Sequence, residues 1–245
     1  MSDDDPPEPI TGWPVAESLR SVFPSATSES IRSLAETYTV RAIGPGILDD
    51  RPSSGPEILL VLDGHIAVVQ RIADGREAIL GVYSQGGIAG LAMIDGVQQS
   101  AVFEALDDVV LAVWSSTSVR DIAKADPGML LDIVDLLVAR VRGALFLLER
   151  QTFTTASMRL ASALLRNEDL AFAPARPRFV RSQLAALAGV SREMTGRIMR
   201  RWEREGILMR VGQTGLVLVD RARLEAEAAG AEGVAPRSGL PVEMS

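Results

Sequence analysis

The 245-residue chain has no cysteine, one histidine (His65) and one lysine (Lys124). Those absences exclude disulfides, thiolate chemistry, zinc fingers and any nucleophilic catalysis that calls for a cysteine or a second histidine. They also leave few ligands for an iron–sulfur cluster or haem. No cofactor or metal site is expected. Gln85-Gly-Gly-Ile-Ala-Gly90 is glycine-rich but lacks the Gly-Lys-Ser/Thr of a phosphate-binding loop, and no G-x-S-x-G is present, so an enzyme is not expected. No stretch approaches the ~18 uncharged apolar residues of a membrane-spanning helix. The N-terminus, Met1-Ser-Asp-Asp-Asp-Pro-Pro-Glu-Pro-Ile10, is acidic where a signal peptide is basic. The expectation is a cytoplasmic protein with no membrane partner. Hydrophobic residues make up 47% of the chain, enough to bury a core in one large domain or two modest ones.

The formal charge is −7, yet it is unevenly spread. Residues 157–224 hold thirteen arginines against six carboxylates, a net +7, which leaves −14 for the rest. A basic segment on an acidic body is the asymmetry expected when one domain meets phosphate. A solvated arginine-rich face is the plainer alternative.

Residues 1–15 read as a disordered acidic leader and 225–245 as a low-complexity tail. Residues 16–37 hold short helical patterns broken at Pro24. From 40 to about 115, apolar runs such as Ile58-Leu-Leu-Val-Leu62, Ile66-Ala-Val-Val69 and Val109-Val-Leu-Ala-Val-Trp114 alternate with Asp63-Gly64 and Asp74-Gly75, which predicts antiparallel strands in a sandwich or barrel. Asp49–Pro56 reads as a loop, and His65 as a surface strand residue. A long helix follows Pro127. Its Leu130, Val134, Leu137, Val141, Ala144 and Leu148 step by 4-3-4-3-4, the seam of a coiled coil, and Leu131, Ile133, Leu136, Val138, Leu145 and Leu147 widen the stripe. Two apolar faces suit a dimer seam that also packs on the β-domain; a central helix of a single globule is the alternative.

The segment Gln183-Leu-Ala-Ala-Leu-Ala-Gly-Val-Ser-Arg-Glu-Met-Thr-Gly-Arg-Ile-Met-Arg-Arg-Trp202 predicts two helices joined at Gly189. Leu184, Leu187 and Ala188 give the first an apolar face, and Ser191 can cap the second, whose apolar face would be Met194, Ile198 and Trp202. The other face presents Arg192, Arg197, Arg200, Arg201 and Arg204. That is a helix-turn-helix with a basic recognition helix. Ile207–Val211 and Leu216–Val219, around Gly212-Gln-Thr-Gly215, read as a β-hairpin wing.

This order of parts resembles the family of the cyclic-AMP receptor protein and the fumarate–nitrate regulator (Crp/Fnr). Gly189-Val-Ser-Arg-Glu-Met-Thr-Gly-Arg-Ile198 is similar to that family's G-x-S-R-E-T-x-G-R-[IL], supported by Leu62-Asp-Gly64 and by Phe153-x5-Arg159-Leu-Ala161. The resemblance, from about residue 36 to 220, implies an α+β chain. It would comprise a cyclic-nucleotide-binding-like β-roll (16–126), a dimerisation helix (127–154) and a winged helix-turn-helix (155–224). It also implies a homodimeric transcription regulator, with double-stranded DNA and RNA polymerase as partners and near-palindromic half-sites resembling TGTGA. Carried over, it assigns Arg192 and Arg197 to guanine edges and Glu193 to a cytosine amino group. Arginine can donate two bonds to guanine O6 and N7, and a carboxylate can only accept. Arg181, Ser182 and Ser191 would hold phosphates or flanking bases, and Arg200 a phosphate. For Glu193, an i,i+4 pair with Arg197 is the alternative, and both roles can coexist.

The sensor end departs from the family. Cyclic-AMP binders read roughly G-E-L … R-S-A, followed by a Thr-Ser pair on the long helix. Here the cassette is Gly90-Leu91-Ala92 … Gln99-Ser100-Ala101, and Ala144-Leu145 stand at the Thr-Ser pair. The effector-pocket candidates are therefore Gly90, Leu91, Gln99, Ser100, Ala144 and Leu145. Losing the carboxylate for the ribose and the arginine for the phosphate removes charge-assisted hydrogen bonds, so cyclic AMP in its usual pose is not expected. The pocket would be empty in a permanently active dimer, with Leu145 partly filling it, or would take another nucleotide or a more apolar small molecule. An interaction module without DNA binding is the rival from another class.

Overall fold

The computed structural model describes residues 14–48, 55–71, 77–172, 179–212 and 215–230, with backbone alone for 146–153. It divides into two units, Met1–Leu147 and Leu148–Ser245.

In the first unit, α1 (Val15–Val22) and α2 (Ser28–Thr37) are separated around Pro24. The Thr27 side chain caps α2 by accepting from the Ser30 N–H. Eight strands follow among the described residues: β1 (Thr39–Ile43), β2 (Gly46–Ile47), β3 (Glu57–Asp63), β4 (Ile66–Arg71), β5 (Glu77–Tyr83), β6 (Ile88–Ala89), β7 (Val102–Ala105) and β8 (Val109–Ser115). They make two antiparallel sheets, ordered β1-β8-β3-β6 and β2-β7-β4-β5. The unbroken apolar run of β3 is explained by burial on both sides. Ile58, Leu60 and Leu62 pack with Leu19, Phe23, Ile31 and Leu34 of the helices, whereas Leu59 and Val61 pack with Ile66, Ala105, Leu111 and Val113 of the strands. Each such side chain contributes roughly 1.5–3 kcal/mol when fully buried.

The chain continues into α3 (Ser116–Ala125) and the 27-residue α4 (Pro127–Phe153). Met129 and Ile133 of α4 are buried in the helix-side core, with Leu136 and Leu137 packed against it. Leu130, Leu131, Val134, Val138, Val141 and Leu145 are exposed. Of the 4-3 stripe, Leu130, Val134, Val141 and Ala144 are exposed, Leu137 is half-buried against the helix-side core, and the side chain of Leu148 lies outside those described. Seven residues after Leu130, Leu137 lies within about 20° of it around a helix of 3.6 residues per turn, so what half-buries it is the helix-side core alongside and not the period of the sequence. His65 is also corrected, from surface to interior. It is buried, its Nδ1 lies 3.0 Å from Asp107 Oδ2, and its backbone N–H donates to Asp107 Oδ1 at 2.7 Å. The chain irregularity at Val61/Asp63 and the turn at Gly64 fold that residue against the β7–β8 connection.

The second unit contains α5 (Ala156–Arg166), the single turn α6 (Glu168–Ala171), α7 (Arg181–Ala188), α8 (Arg192–Arg204), β9 (Leu208–Val211), β10 (Gly215–Leu218) and α9 (Arg221–Ala229). The architecture is the expected one, an α+β chain with an N-terminal β-roll, a long helix and a winged helix-turn-helix. Two ends differ from expectation. Val15 is buried and starts α1 rather than ending a leader. Glu225–Ala229 is helix rather than tail, because Asp220 caps α9, its glutamates and alanines favour helix, and Gly230 stops it in the left-handed conformation. The leader to residue 13, the loop at 49–54, the Asp74-Gly75 turn, the prolines 174 and 177, the wing tip at 213–214 and the tail from 231 lie outside the described residues.

Candidate nucleic-acid interface

Local chemistry sets the helix-turn-helix. At the start of α7, Gln183 Oε1 accepts from the Val180 N–H at 2.9 Å. At its end, Gly189 has φ +60°, a conformation that costs a side-chain-bearing residue energy, and the Val190 N–H closes the turn on the Ala185 carbonyl at 3.0 Å. The Ser191 hydroxyl oxygen then caps α8 by accepting from the Met194 N–H at 3.1 Å. Arg159 of α5 holds the corner from behind, donating to the carbonyls of Ala188 (3.3 Å) and Thr154 (2.7 Å). Thr195, Ile198, Met199 and Trp202 form the buried face of α8, and Met194 is only half-buried. On α7 the buried residues are Leu184, Ala185, Ala186 and Ala188, with Leu187 half-buried.

The opposite face of α8 presents Arg192, Glu193, Arg197, Arg200 and Arg204 to solvent. The guanidiniums of Arg181, Arg192 and Arg200 make no hydrogen bond or ion pair with the described residues, although the Arg200 carbonyl accepts from Arg204 Nε at 3.3 Å. Such guanidiniums are free to meet phosphate or a base edge. Arg197 Nη2 lies 3.5 Å from Glu193 Oε1, so the intrahelical pair is formed, though both side chains remain exposed. An exposed i,i+4 pair stabilises by only ~0.3–0.5 kcal/mol and yields readily to a better partner. Arg181 lies beside the recognition helix: a Cβ added to Gly196 would sit 3.6 Å from its Nη1. Ser182 is half-buried, and Ser191 is exposed beside Arg192. In the wing, Arg210 donates to Glu203 at 2.8 Å. One arginine of the expected basic face is turned aside. Arg201 is half-buried and donates to Glu227 Oε2 at 2.6 Å and to Ser157 Oγ at 2.8 Å. Its partners are 26 and 44 positions away, so no local signal in α8 could separate Arg201 from Arg200.

The cassette in the first unit is less coherent. Gly90 has φ +87°, and a Cβ there would approach the Glu57 carbonyl oxygen to 2.2 Å. This glycine is demanded by the backbone. Leu91, read as a pocket residue, is 0% exposed and packs in the core beside Ile58, Leu60 and Trp114. An apolar side chain leaving that left-handed turn gains more from the apolar layer than from a polar cleft, and Leu91 is removed from the pocket lining. Gln99 is exposed and donates to the Ala92 carbonyl at 3.4 Å, and Ser100 Oγ donates to Gln70 Oε1 at 3.2 Å. Ala144 and Leu145 are exposed on α4, so Leu145 does not fill a pocket in the single chain. Sequence reading passed over Arg140, one turn before Ala144. It donates to the Ile88 carbonyl, and its guanidinium carbon lies 5.3 Å from the Tyr83 ring centroid, tying α4 to the roll. Among the described residues no cluster of three metal-ligating side chains occurs, and no helix is long and apolar enough to cross a membrane.

Residues 158–227 match the family model of a Crp-like helix-turn-helix domain, and residues 52–126 that of a cyclic nucleotide-binding domain. The cAMP-activated global transcriptional regulator CRP of Pasteurella multocida is 26% identical over 164 residues, covering 64% of this chain and 78% of its own length. The cyclic AMP receptor protein of Thermus thermophilus is 28% identical over 172 residues, covering 70% and 79%. Among solved structures, FixK2 from Bradyrhizobium japonicum has a TM-score of 0.64 at 22% identity, covering 77% of this chain and 96% of its own. A Crp/Fnr-family regulator from Eubacterium rectale has a TM-score of 0.66 at 19% identity, covering 83% and 95%. At such identities the structural likeness establishes the fold.

Proposed function

This chain belongs to the Crp/Fnr family of DNA-binding transcription regulators, and on that premise we propose that it binds a near-palindromic operator as a homodimer without calling on cyclic AMP in its usual pose. The observation that carries the DNA reading is the set of exposed, largely unengaged guanidiniums of Arg181, Arg192 and Arg200 around the capped α8. Arg192 and Arg197 read guanine, Glu193 accepts from cytosine once Arg197 turns to the base, and Ser182, Ser191, Arg181 and Arg200 hold backbone phosphates. The half-site resembles TGTGA. Two-fold symmetry sets the half-sites about 10 bp, or a multiple of that, apart.

The dimer reading rests on the outer stripe of α4, six large apolar residues open to water in one chain. A second copy of the same stripe would cover it. The relatives named as cAMP-activated are so described for themselves. In this chain the buried Leu91 and the neutral Gln99 supply neither a carboxylate for a ribose hydroxyl nor a charge for a cyclic phosphate.

Binding-site selection with the full-length protein, with and without cyclic AMP, tests the reading. An inverted repeat returned equally in both conditions is expected. A repeat that emerges only with the nucleotide overturns the effector part, and no enriched sequence overturns the DNA part.

A further inference from the structure

We propose that α9 is a positioning helix for the recognition helix, and that Arg201 acts through Glu227 rather than on DNA; this rests on the assignment of α8 as the base-reading helix. α9 has a single buried side chain, Leu224, so apolar burial alone anchors it poorly. Polar contacts supply the rest and reach three other helices. Arg221 Nη1 meets Glu168 Oε2 of α6 at 2.6 Å. Arg223 Nη1 donates at 2.7 Å to the carbonyl of Glu205, the residue that ends α8. Glu227 Oε2 accepts from both Ser157 of α5 and Arg201 of α8, and Arg201 also donates to Ser157, so the three side chains close a triangle.

The arrangement bears on α8 alone among the base-reading parts. Arg201 and Glu205 lie in its last turn and at its end, whereas Ser191, Arg192 and Glu193 open it. Holding the far end of a 13-residue helix fixes the angle at which the near end meets a groove, and base readout tolerates errors of only about 10–20°. The side chains of Arg201 and Glu227 are 33% and 20% exposed, against 57% for Arg197, which places the ion pair aside from the solvent-facing arginines. An arginine already engaged by a carboxylate and a hydroxyl is a poor phosphate ligand, and a well-placed positioning residue.

The test uses the full-length protein, the duplex returned by selection with wild type, and a random duplex of equal length. Glu227→Gln and Arg201→Gln should each lower the selected-to-random affinity ratio about three- to tenfold, with the salt dependence on random DNA unchanged. The exchanged pair, Arg201→Glu with Glu227→Arg, should regain most of the ratio. Arg201→Gln weakening both duplexes alike and flattening the salt slope by about one, with Glu227→Gln neutral or tighter-binding, overturns the proposal. So does a soluble, folded exchanged pair that stays as poor as the single variants. If the exchanged pair does not fold by circular dichroism, the two glutamine variants decide. A wild type that prefers no sequence overturns the recognition-helix assignment and this inference together. A wild type that discriminates while Glu227→Gln keeps its ratio overturns the inference alone.

Discussion

Asp126 Oδ2 accepts two hydrogen bonds of 2.8 Å from Thr27, one from its backbone N–H and one from its hydroxyl, across 99 positions of the chain. Asp126 Oδ1 takes the Met129 N–H at 3.1 Å, so one buried carboxylate caps the first turn of α4 and holds the entry to α2. Asp132 assists by accepting from the Ser25 N–H at 2.8 Å.

The Ser30 hydroxyl, then the N–H groups of Thr27 and Met129 and the Thr27 hydroxyl, hold the Asp126 carboxyl far below its ordinary value of 3.8, against the opposing effect of burial. A folded-state pKa that is depressed contributes stability above the unfolded value and loses it as pH falls. Asp126→Asn should therefore cost about 1–3 kcal/mol near neutral pH. Its deficit against wild type should shrink as pH drops below about 4. Urea midpoints from about pH 6 to about pH 3 check this; a deficit constant with pH would mean the charge is irrelevant.

The two faces of α4 should respond differently to a charge. Val138→Asp or Val141→Asp, on the outer stripe, should leave each chain folded and yield monomers in sedimentation at micromolar concentration. Leu137→Asp, on the inner face, should instead destabilise the fold by about 1–3 kcal/mol. A wild type that sediments as a monomer and still binds the inverted repeat would remove the dimer from the reading.

On the recognition helix, Arg192→Ala and Arg197→Ala should each cost about 1–3 kcal/mol and relax one guanine position. Glu193→Ala should loosen the paired cytosine with a smaller loss, since a repelling charge leaves with it. Arg200→Ala should weaken all sequences alike and lower the salt slope by about one. Selection repeated with Arg192→Ala is decisive, because an unchanged consensus would clear that residue of any base contact.

For the cassette, titration calorimetry with near-millimolar cyclic AMP should give no heat of binding. Gln99→Arg should leave stability unchanged, because Gln99 is exposed. Leu91→Glu should destabilise the first unit by about 2 kcal/mol or more, since it forces a carboxyl into the core. Restoring the cyclic-AMP contacts is therefore not a matter of two side chains; micromolar binding by the wild type would show otherwise.

The amino-acid sequence by itself determined most of the element types, α9 excepted, and the likeness to the family. A capping serine at 191, a left-handed glycine at 189, a 3.6-residue apolar period and an arginine-rich segment all act within a few residues of one another, where chain connectivity alone brings the partners together. The apolar run Ile58–Leu62 was legible as a strand, and the fold is what buries it on both sides. Only the tertiary structure decided which of Leu137 and Val138 faces inward, that Leu91 leaves the cassette for the core, that His65 is buried against Asp107, and that Arg201 belongs to Glu227. Each of those outcomes depends on a surface or partner supplied from elsewhere in the chain. Burial and long-range ion pairing are set by what the fold brings alongside, and neighbours in sequence carry no record of it.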